Sequence, residues 1–230
     1  VPTPFEERKD GFRIPDLKYV ESATRSLAQV VKKGDLVILE STSPVGTTEK
    51  MRDWLIDELV VQGKTGATDL DYYFVHCPER ILPGQMLKEL VTNDRISGGL
   101  TPEAGQKAKA LYECFCTAEI FMTDARSAEL SKLAENSFRD VNIAFANELS
   151  MICDHLGMDV WEVIRLSNRH PRVNILTPGP GVGGHCIAVD PWFIVNKNSA
   201  DARLIRLARQ INDQKLKWVV KIERPSLPLR

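Results

Sequence analysis

The chain has 230 residues, 43% of them hydrophobic and 27% charged, which is enough to bury the core of one or two globular domains. Thirty basic and 31 acidic side chains give a formal net charge of -1, so no global positive field favours nucleic acid or an anionic membrane, and no apolar run approaches the ~20 residues of a membrane span. The five cysteines are an odd number without the paired spacing of a metal site, which predicts a reduced cytoplasmic protein without metal rather than a disulfide scaffold.

Short apolar runs alternate with amphipathic stretches in the first half of the chain. Residues 5–15 are polar and contain glycine, so they are predicted to form a loop, and Asp16 is a candidate cap for a helix that ends near Gly34. Thr101 and Pro102 are typical of the start of another helix. The other elements predicted in this half are strands at 36–39, 72–75 and 120–122 and a helix at about 47–61. Strands that alternate with helices predict a parallel α/β sheet.

The second half of the chain is predicted to be mainly helical. A long amphipathic helix at 124–156 is indicated by apolar residues that repeat at three and four and share one face, namely Leu130, Leu133, Phe138, Val141, Phe145, Leu149 and Ile152. Gly157 ends this helix, and Asp159 caps a shorter one. A last helix covers about 200–220, and its apolar side is predicted to carry Leu204, Leu207, Ala208, Ile211 and Val219.

A glycine-rich segment leads to Cys186. Gly179, Gly181 and Gly184 formally satisfy the G-x-G-x-x-G pattern, but a dinucleotide fingerprint needs a strand before it and a helix that starts within it, and neither is predicted here. What remains is a loop whose backbone can approach a ligand closely, ending in a thiol with the carboxylate of Asp190 four residues later. A buried structural cysteine beside a turn is the alternative, and the spacing alone leaves both interpretations open.

Lys132 and Asn136 are four residues apart on the predicted long helix, so they lie on one face, one turn from each other. A lysine and an amide side by side can donate hydrogen bonds to a developing oxyanion. The alternative is a solvated surface pair, because charged helix positions usually face solvent.

Three further polar segments are candidates for ligand contacts. Glu79 follows a buried strand, where a carboxylate can orient or deprotonate water, or else form an ion pair with Arg80 or another neighbour. Thr42 occupies the equivalent place after the preceding strand and is otherwise a hydroxyl that caps the next helix. Arg169 and Arg172 can hold a phosphate or a sugar, or stand in an exposed bend.

Together these segments resemble the nucleotide-sugar dehydrogenases that oxidise a sugar C6 alcohol to a carboxylate, the UDP-glucose and GDP-mannose dehydrogenase superfamily. The resemblance runs from Val1 to about Val220 and is strongest to the branch that oxidises UDP-N-acetyl-D-mannosamine for surface polysaccharide. Pro83 stands where the UDP-glucose enzymes carry a second acid, which disfavours glucose. The segments that carry the resemblance are 1–5, 39–46, 77–80, 83–85, 128–142, 168–174 and 179–191.

This resemblance implies an α/β fold in which part of a Rossmann-like, NAD-binding sheet domain is followed by a mainly helical dimerisation domain. The character of the sequence changes near residue 124, which predicts a sheet domain at 1–123, a helical domain at 124–222 and a tail at 223–230. The family's glycine fingerprint and its second sugar-nucleotide domain are expected outside this chain, so the chain alone is predicted to be inactive. The implied partners are a UDP-sugar and a second copy of the chain, in a homodimer or a higher homo-oligomer.

The resemblance also implies catalytic roles. Cys186 is implied as the nucleophile that captures the aldehyde as a thiohemiacetal, and a thioester that water hydrolyses follows, with two NAD used per sugar. Lys132 and Asn136 would stabilise the oxyanions. Asp190 would position water or the lysine, and Glu79 would activate the hydrolytic water.

The same resemblance implies the binding residues. Thr3 and Thr42 are implied to contact the dinucleotide cofactor or the catalytic water. The long helix is similar to the family's dimerisation element, and His185, next to the thiol, is a candidate to modulate it. The residues implied to bind the sugar nucleotide are Arg80, Ile81, Leu82, Arg172 and Gly183, of which Arg172 reaches the nucleotide of the partner subunit.

Three other functions stay open at the level of sequence. Within the family, the substrate can be UDP-N-acetylglucosamine or GDP-mannose; the first is the C2 epimer and differs only in the position of one acetamido group. The chain can also be a truncated, non-catalytic dimerisation fragment. A thiol-dependent aldehyde dehydrogenase or transferase depends on Cys186 alone and gives no reason for Lys132 and Asn136 to occur together.

Overall fold

A computed structural model describes residues 1–7, 13–64, 68, 71–81, 84–184 and 186–223. The chain divides into two compact units, Val1–Leu133 and Ala134–Arg230. The domain limits predicted at 123 and 222 stay predictions, as does the tail after them. Leu82, a candidate substrate contact, and His185 lie outside the described residues.

The first unit alternates strands and helices, and the second is helical. In chain order the first unit contains β1 (Phe5–Glu7), β2 (Arg13–Pro15), α1 (Lys18–Leu27), β3 (Leu36–Leu39), α2 (Thr47–Val61), β4 (Tyr73–His76), α3 (Met86–Thr92), β5 (Arg95–Gly99), α4 (Pro102–Tyr112) and β6 (Ile120–Asp124). The following helices are α5 (Ala125–His155), α6 (Val160–Ser167), α7 (Asp190–Lys197) and α8 (Arg203–Glu223), of which α5 begins in the first unit.

The sheet of the first unit has, within the described residues, four strands in the order β3-β4-β5-β6. β3 and β4 are parallel, with Leu36 opposite Tyr73, and β5 and β6 are parallel, with Arg95 opposite Ile120. The α/β class with a parallel sheet, predicted from the sequence, is therefore confirmed. The one difference is that β4 and β5 run antiparallel.

Strand β5 is not predicted by the sequence, because its segment Arg-Ile-Ser-Gly-Gly contains a single large apolar residue. Close packing explains the two glycines. A Cβ on Gly98 would lie 2.4 Å from the Cβ of Ala128, and one on Gly99 would lie 2.3 Å from the carbonyl oxygen of Thr101. No real side chain meets its neighbours at such distances, so this backbone can pack so closely only with glycine at both positions.

Apolar side chains cover both faces of this sheet. Alternate residues of β4 point to opposite faces, so that Phe74 packs with side chains of α1 and α2, and Val75 packs with side chains of α4. Leu36 and Ile38 of β3 are partly buried against the same cluster as Val75. Burial on both faces is what the continuous apolar run at 36–39 predicts.

The beginning of the chain differs from the predicted loop. The described residues there include a two-stranded antiparallel hairpin, in which Phe5 of β1 is opposite Pro15 of β2. The prediction of a loop at 5–15 is wrong for these strands, which have three residues each and are too short to show a period in the sequence. Helix α1 also ends earlier than predicted, at Leu27, where the N–H of Val30 bonds the carbonyl oxygen of Leu27 at 2.9 Å in a tight turn.

The predicted helix starts are largely correct. The carboxylate of Asp16 accepts the backbone N–H of Lys18 at 3.0 Å. Thr101 Oγ1 accepts the N–H of Ala104 at 3.1 Å, and Pro102 occupies the first turn of α4. In the same way, Asp159 caps α6 by accepting a backbone N–H at 2.9 Å.

Helix α5 has the predicted length, but most of its predicted apolar face is not buried. Leu133 is buried, whereas Phe138, Phe145 and Ile152 are 73%, 55% and 49% exposed. Besides Leu133 and small apolar residues such as Ala144 and Ala146, α5 buries five polar side chains, namely Glu129, Ser137, Asp140, Asn147 and Ser150. The helix therefore has polar groups on its buried face and a stripe of exposed apolar residues with a seven-residue spacing.

Helix α8 repeats this arrangement. Leu204 and Leu207, predicted to form an apolar face, are exposed, and Arg209, Asn212 and Lys215 are buried. Burial of these charged and amide groups depends on long-range partners, which a periodicity in the sequence does not reveal. Helix α7 is not predicted at all, because it is short and, unlike the equally short α6 with its cap Asp159, it has no side-chain cap.

His76, at the end of β4, is completely buried. Burial lowers the pKa of its imidazole from 6.5 to about 4, because the charged form would lose its hydration. The ring is therefore neutral at neutral pH.

We expect the His76→Leu variant to be less sensitive to acid than the wild-type protein. The imidazole of the unfolded chain takes up a proton near pH 6.5, whereas the folded one does so only near pH 4, so acid stabilises the unfolded state across this window. This group should lower the free energy of unfolding by up to about 3 kcal/mol between these pH values, and the variant should lack that contribution. Urea denaturation of both proteins as a function of pH measures it, with His155→Gln at the exposed end of α5 as the control. Equal acid sensitivity of wild type and His76→Leu would contradict the prediction.

Candidate active site

Three of the predicted catalytic residues come together at the start of α7. Asp190, the first residue of this helix, is 3% exposed. Its Oδ2 accepts a hydrogen bond from Nδ2 of Asn136 on α5 at 2.5 Å, and its backbone N–H donates to the carbonyl oxygen of Cys186 at 2.8 Å. One backbone turn thus fixes Cys186 relative to Asp190, and one side-chain bond fixes Asp190 relative to α5.

Cys186 is exposed, which argues against a buried structural cysteine at this position. All five thiols are free; Cys114 is also exposed, whereas the other three cysteines are buried. Pro191 stands in the first turn of α7, where its missing N–H costs nothing, and the acid Asp190 is favoured beside the helix N terminus. These local preferences explain why the chain turns into a helix directly after the thiol.

Lys132 precedes Asn136 by one turn of α5, so the two side chains lie on one face, as their spacing predicts. Both residues are half-buried. Partial burial, together with the bond from Asn136 to Asp190, argues against a freely solvated surface pair.

Glu129, just before Lys132 on α5, binds the N terminus of α2. Its side chain is 1% exposed, and its Oε2 accepts the N–H of Gly46 at 2.6 Å. Its Oε1 accepts both the N–H and the hydroxyl of Thr48, at 2.8 and 2.7 Å. Gly46 has a left-handed φ of 93° and no side chain, so the carboxylate from α5 takes the place of an N-cap residue. Burial raises the pKa of Glu129, and these hydrogen bonds act in the opposite direction.

Thr3 and Thr42, the candidate cofactor contacts, lie side by side. The hydroxyl of Thr3 donates to the carbonyl oxygen of Thr42 at 2.6 Å. The alternative that Thr42 caps the next helix is wrong, because Glu129 binds the N–H groups at the start of α2. Since β3 and β4 are parallel, Thr42 and Glu79 follow their strands at the same edge of the sheet.

Glu79 is held by its own loop and by one arginine. Its Oε1 accepts the backbone N–H groups of Arg80 and Ile81, at 2.6 and 2.9 Å. Its Oε2 lies 3.7 Å from Nη1 of Arg95, so the ion pair considered from the sequence is made with Arg95. The Glu79 side chain is 38% exposed, which leaves the carboxylate accessible to water.

Arg95 is a neighbour of the candidate site that the sequence does not indicate. Its guanidinium is buried, lies 4.7 Å from the centroid of the Tyr112 ring and donates to the carbonyl oxygen of Leu90 at 3.3 Å. Tyr112 in turn donates to the carboxylate of Glu40 at 2.5 Å. This packing fixes a positive charge beside Glu79, and it depends on contacts between distant parts of the chain.

Arg172 and Gly183, two candidate contacts of the sugar nucleotide, are exposed. Arg172 lines a cavity of about 600 Å³ in the second unit, together with Glu135, Phe138, Arg139, Asn142, Asn174 and Leu176. A Cβ on Gly183 would meet no atom within 4 Å among the residues that the structure describes. The described protein therefore does not itself require glycine there, and contact with a substrate stays a prediction for both residues.

The described residues contain neither a metal-binding cluster nor a membrane-spanning helix. Within them, no three side chains of His, Cys, Asp or Glu are grouped so as to hold a metal ion. None of the helices in the part of the chain that the structure describes combines the length and the apolar character needed to cross a membrane.

Two consecutive family models match the chain. Residues 1–116 match the NAD binding domain of the UDP-glucose/GDP-mannose dehydrogenase family, and residues 126–214 match its central domain. The chain belongs to the UDP-glucose/GDP-mannose dehydrogenase family. The family inferred from its motifs is thereby confirmed.

Similar proteins include enzymes that act on different amino sugars. The chain is 60% identical over 223 residues to UDP-N-acetyl-D-mannosamine dehydrogenase of Escherichia coli (strain K12) and 59% identical over 223 residues to NDP-N-acetyl-D-galactosaminuronic acid dehydrogenase of Ralstonia nicotianae. Each match covers 96% of this chain and 52% of the relative, so the chain spans about half the length of these relatives. Among solved structures, UDP-D-ManNAc dehydrogenase from Pyrococcus horikoshii matches with a TM-score of 0.88 at 44% identity, over 99% of this chain and 52% of that one.

NAD, the predicted cofactor, is confirmed by the match to the family's NAD binding domain. The residues present fit a dinucleotide. β3 and β4 are parallel, and the segments that follow them, with Thr42 and Glu79, lie at one edge of the sheet, which is where doubly wound sheets bind such ligands.

We expect the Glu129→Gln variant to lower the free energy of unfolding by about 1–3 kcal/mol, because an amide keeps one acceptor oxygen for three donors and turns its own N–H groups toward them. Glu49→Gln is the matched control: it removes a partly exposed acid from the first turn of α2 and should cost less than about 1 kcal/mol. Urea denaturation of the two variants makes the comparison. If both variants lose the same free energy of unfolding, the prediction that the buried carboxylate of Glu129 stabilises the fold more than an exposed acid is wrong.

Proposed function

We propose that the full-length protein oxidises the C6 alcohol of UDP-N-acetyl-D-mannosamine to a carboxylate, giving UDP-N-acetyl-D-mannosaminuronate for surface polysaccharide. The observation that carries the proposal is the exposed thiol of Cys186 beside the buried Asp190, which Asn136 binds at 2.5 Å. The 60% identity to UDP-N-acetyl-D-mannosamine dehydrogenase supports the choice of sugar. Activity is proposed for the full-length protein, since this chain spans about half of its relatives.

In this proposal Cys186 is the nucleophile. The C6 alcohol is first oxidised to the aldehyde, to which the thiolate adds to form a thiohemiacetal. A second oxidation converts this adduct to a thioester, which water hydrolyses to the carboxylate, releasing the thiol. NAD, when bound, accepts the hydride in each of the two oxidations. Covalent attachment to Cys186 keeps the aldehyde from leaving before it has been oxidised.

Lys132 and Asn136 are proposed to donate hydrogen bonds to the oxyanions that form at C6. An amide nitrogen carries two N–H groups. In Asn136 one of them is directed at Asp190, and the other is left for the substrate oxygen. Asp190 therefore orients the amide, and a donor fixed in advance stabilises developing charge without reorganising during the reaction.

Glu79 is proposed to activate the hydrolytic water. Its two oxygens have different surroundings: Oε1 is occupied by the N–H groups of Arg80 and Ile81, and Oε2 faces Arg95 at 3.7 Å. The ion pair and the two N–H bonds hold the carboxylate in one orientation, and its exposure admits water. A carboxylate so placed can accept a proton from water as the thioester is attacked.

The binding residues complete the proposal. Thr3 and Thr42 are proposed to contact NAD at the edge of the sheet. The sugar nucleotide is proposed to contact Arg80, Ile81, Leu82, Arg172 and Gly183, with Arg172 reaching the nucleotide of a partner subunit. The enzyme is proposed to act in the cytoplasm, which agrees with five cysteines that are all free.

A second copy of the chain is the proposed partner, in a homodimer or a higher homo-oligomer. Phe138, Phe145 and Ile152 form an exposed apolar stripe along α5. Water contact with such a stripe is unfavourable, and a closed symmetric pairing of the same face on two copies would remove it.

A different amino sugar is the second candidate substrate. The 59% identity to NDP-N-acetyl-D-galactosaminuronic acid dehydrogenase is nearly as high as that to the mannosamine enzyme. UDP-N-acetylglucosamine and GDP-mannose, the alternatives raised by the sequence, belong to the same test.

We expect the full-length protein to form two NADH for each UDP-N-acetyl-D-mannosamine consumed, because Cys186 holds the intermediate between two oxidations. Cys186→Ala should form none, whereas Cys114→Ala, which removes the other exposed thiol, should retain activity. NADH absorbance, measured with each candidate nucleotide sugar in turn, gives the stoichiometry. Two NADH with another sugar would move the proposal to that substrate, and none with any sugar would refute it.

We expect the double variant Phe145→Asp, Ile152→Asp to be monomeric, because two charges would be placed in the apolar stripe that a second copy covers. Leu204→Asp is the control, since Leu204 is an exposed apolar residue on α8 and lies outside the stripe. Sedimentation velocity of the full-length protein distinguishes them. A double variant that associates as the wild type does would exclude this stripe as the subunit contact.

A further inference from the structure

The loop that carries Cys186 is fixed at both ends by side chains of α5. This thiol loop comprises residues 177–184 and 186–189. At its end, Asn136 binds Asp190. Near its start, the backbone N–H of Gly179 donates to Oδ1 of Asn147 at 2.9 Å, and Asn147 is completely buried. The residue that holds the end of the loop, Asn136, already has a role in the chemistry proposed above. The residue that holds its start, Asn147, has none.

Asn147 is the last member of a chain of buried hydrogen bonds between α5 and α8. Its Nδ2 donates to Oδ1 of Asn212 at 2.8 Å. Nδ2 of Asn212 donates to Asp140, at 2.8 Å to Oδ1 and at 3.1 Å to the carbonyl oxygen. Asp140 Oδ1 also accepts from Nη1 of Arg209 at 2.6 Å, and all four side chains are buried.

The chemistry of its first two members gives this chain a single direction. A guanidinium only donates and a carboxylate only accepts, so Asn212 has to turn its nitrogen toward Asp140 and its oxygen toward Asn147. Asn147 must then present its nitrogen to Asn212, which leaves its oxygen for the N–H of Gly179. Reversing either amide would set donor against donor or acceptor against acceptor, at a high cost in a buried site.

We propose that Asn147 is a positioning residue for Cys186, and that the Arg209–Asp140 pair sets its orientation through Asn212. The inference rests on the proposed function, because it takes Cys186 as the nucleophile. Gly181 also lies close to Asn212: a Cβ built on this glycine would be 3.6 Å from the backbone carbonyl oxygen of Asn212. With both ends of a short loop fixed, the position of the sulfur is restricted before substrate arrives.

The first test uses Asn147→Leu in the full-length protein, which keeps the size of the side chain and removes its polar groups. Hydrogen exchange of peptides from the thiol loop should become about tenfold faster near Gly179, as expected for loss of one buried hydrogen bond. The rate at which iodoacetamide alkylates Cys186, divided by that for Cys114 in the same molecule, should change by at least about threefold, and kcat should fall by about tenfold.

Ala144→Gly is the matched control, because it destabilises the same helix from a buried position without removing a polar partner. A purely structural role for Asn147 would make the two variants alike when compared at equal loss of stability. If Asn147→Leu matches Ala144→Gly in exchange and in the alkylation ratio, the proposal is wrong.

The direction of the chain is tested by Asn147→Asp. A carboxylate can still accept from Gly179 but has no donor for Asn212, so at neutral pH this variant should resemble Asn147→Leu. In acid its protonated carboxyl regains one donor and one acceptor, and protection of the loop relative to wild type should return. The charged groups around it, Asp140, Arg209, Asp213 and Lys215, are common to all the proteins compared. Wild-type behaviour of Asn147→Asp at neutral pH would overturn the directed chain, because an acceptor alone would then be sufficient.

These readouts separate the two proposals. Exchange and alkylation require neither substrate nor NAD. If the wild-type protein forms no NADH with any nucleotide sugar, the proposed function fails while the loop measurements still decide the role of Asn147. If NADH forms and Asn147→Leu leaves the loop unchanged, the positioning role fails alone.

Discussion

The carboxylate of Glu129 at the N terminus of α2 is the buried interaction that joins α2 to the first turns of α5 in the first unit. It satisfies two backbone N–H groups and a hydroxyl that would otherwise be buried without an acceptor, at a point where Gly46 has no side chain to offer. A desolvated carboxylate is tolerated only with such partners. Because Glu129 lies in the turn of α5 that precedes Lys132, the bond that starts α2 also holds the first turns of α5.

Helix α5 buries polar side chains and exposes large apolar ones, and this organises the second unit. The helix turns Asp140 and Asn147 inward beside small residues such as Ala144, and it turns Phe138 and Phe145 outward. The inward groups are acceptable because each has a partner on α8 or in the thiol loop. The same helix therefore has two kinds of surface. Its buried polar side chains hold the thiol loop by hydrogen bonds, and its exposed apolar side chains are available for association with a second copy.

The sequence predicted those parts of the structure that depend on local chemistry. The caps Thr101 and Asp159, the alternation of strands and helices, and the grouping of Cys186 with Asp190 and Asn136 all follow from residue type and spacing, the last with the help of a family resemblance. The errors have a common cause. Arg95 pairs with Glu79, and Asn147 pairs with Gly179, although the partners are well separated in the sequence. The glycines of strand β5 are required by close packing against neighbouring segments. A local sequence pattern predicts none of these contacts.

The two glycines at the end of β5 have a consequence for how sequence variation in this family is interpreted. Gly98 meets the Cβ of Ala128 and Gly99 meets the backbone after it at distances that exclude even a methyl group. A saturation library scored for activity would therefore reject nearly every change at both positions, as it would at a catalytic residue. Intolerance to substitution at Gly98 and Gly99 would reflect the lack of space for a side chain and not a role in the chemistry. A position limited by space rejects charged and uncharged side chains alike, and this distinguishes it from a catalytic position.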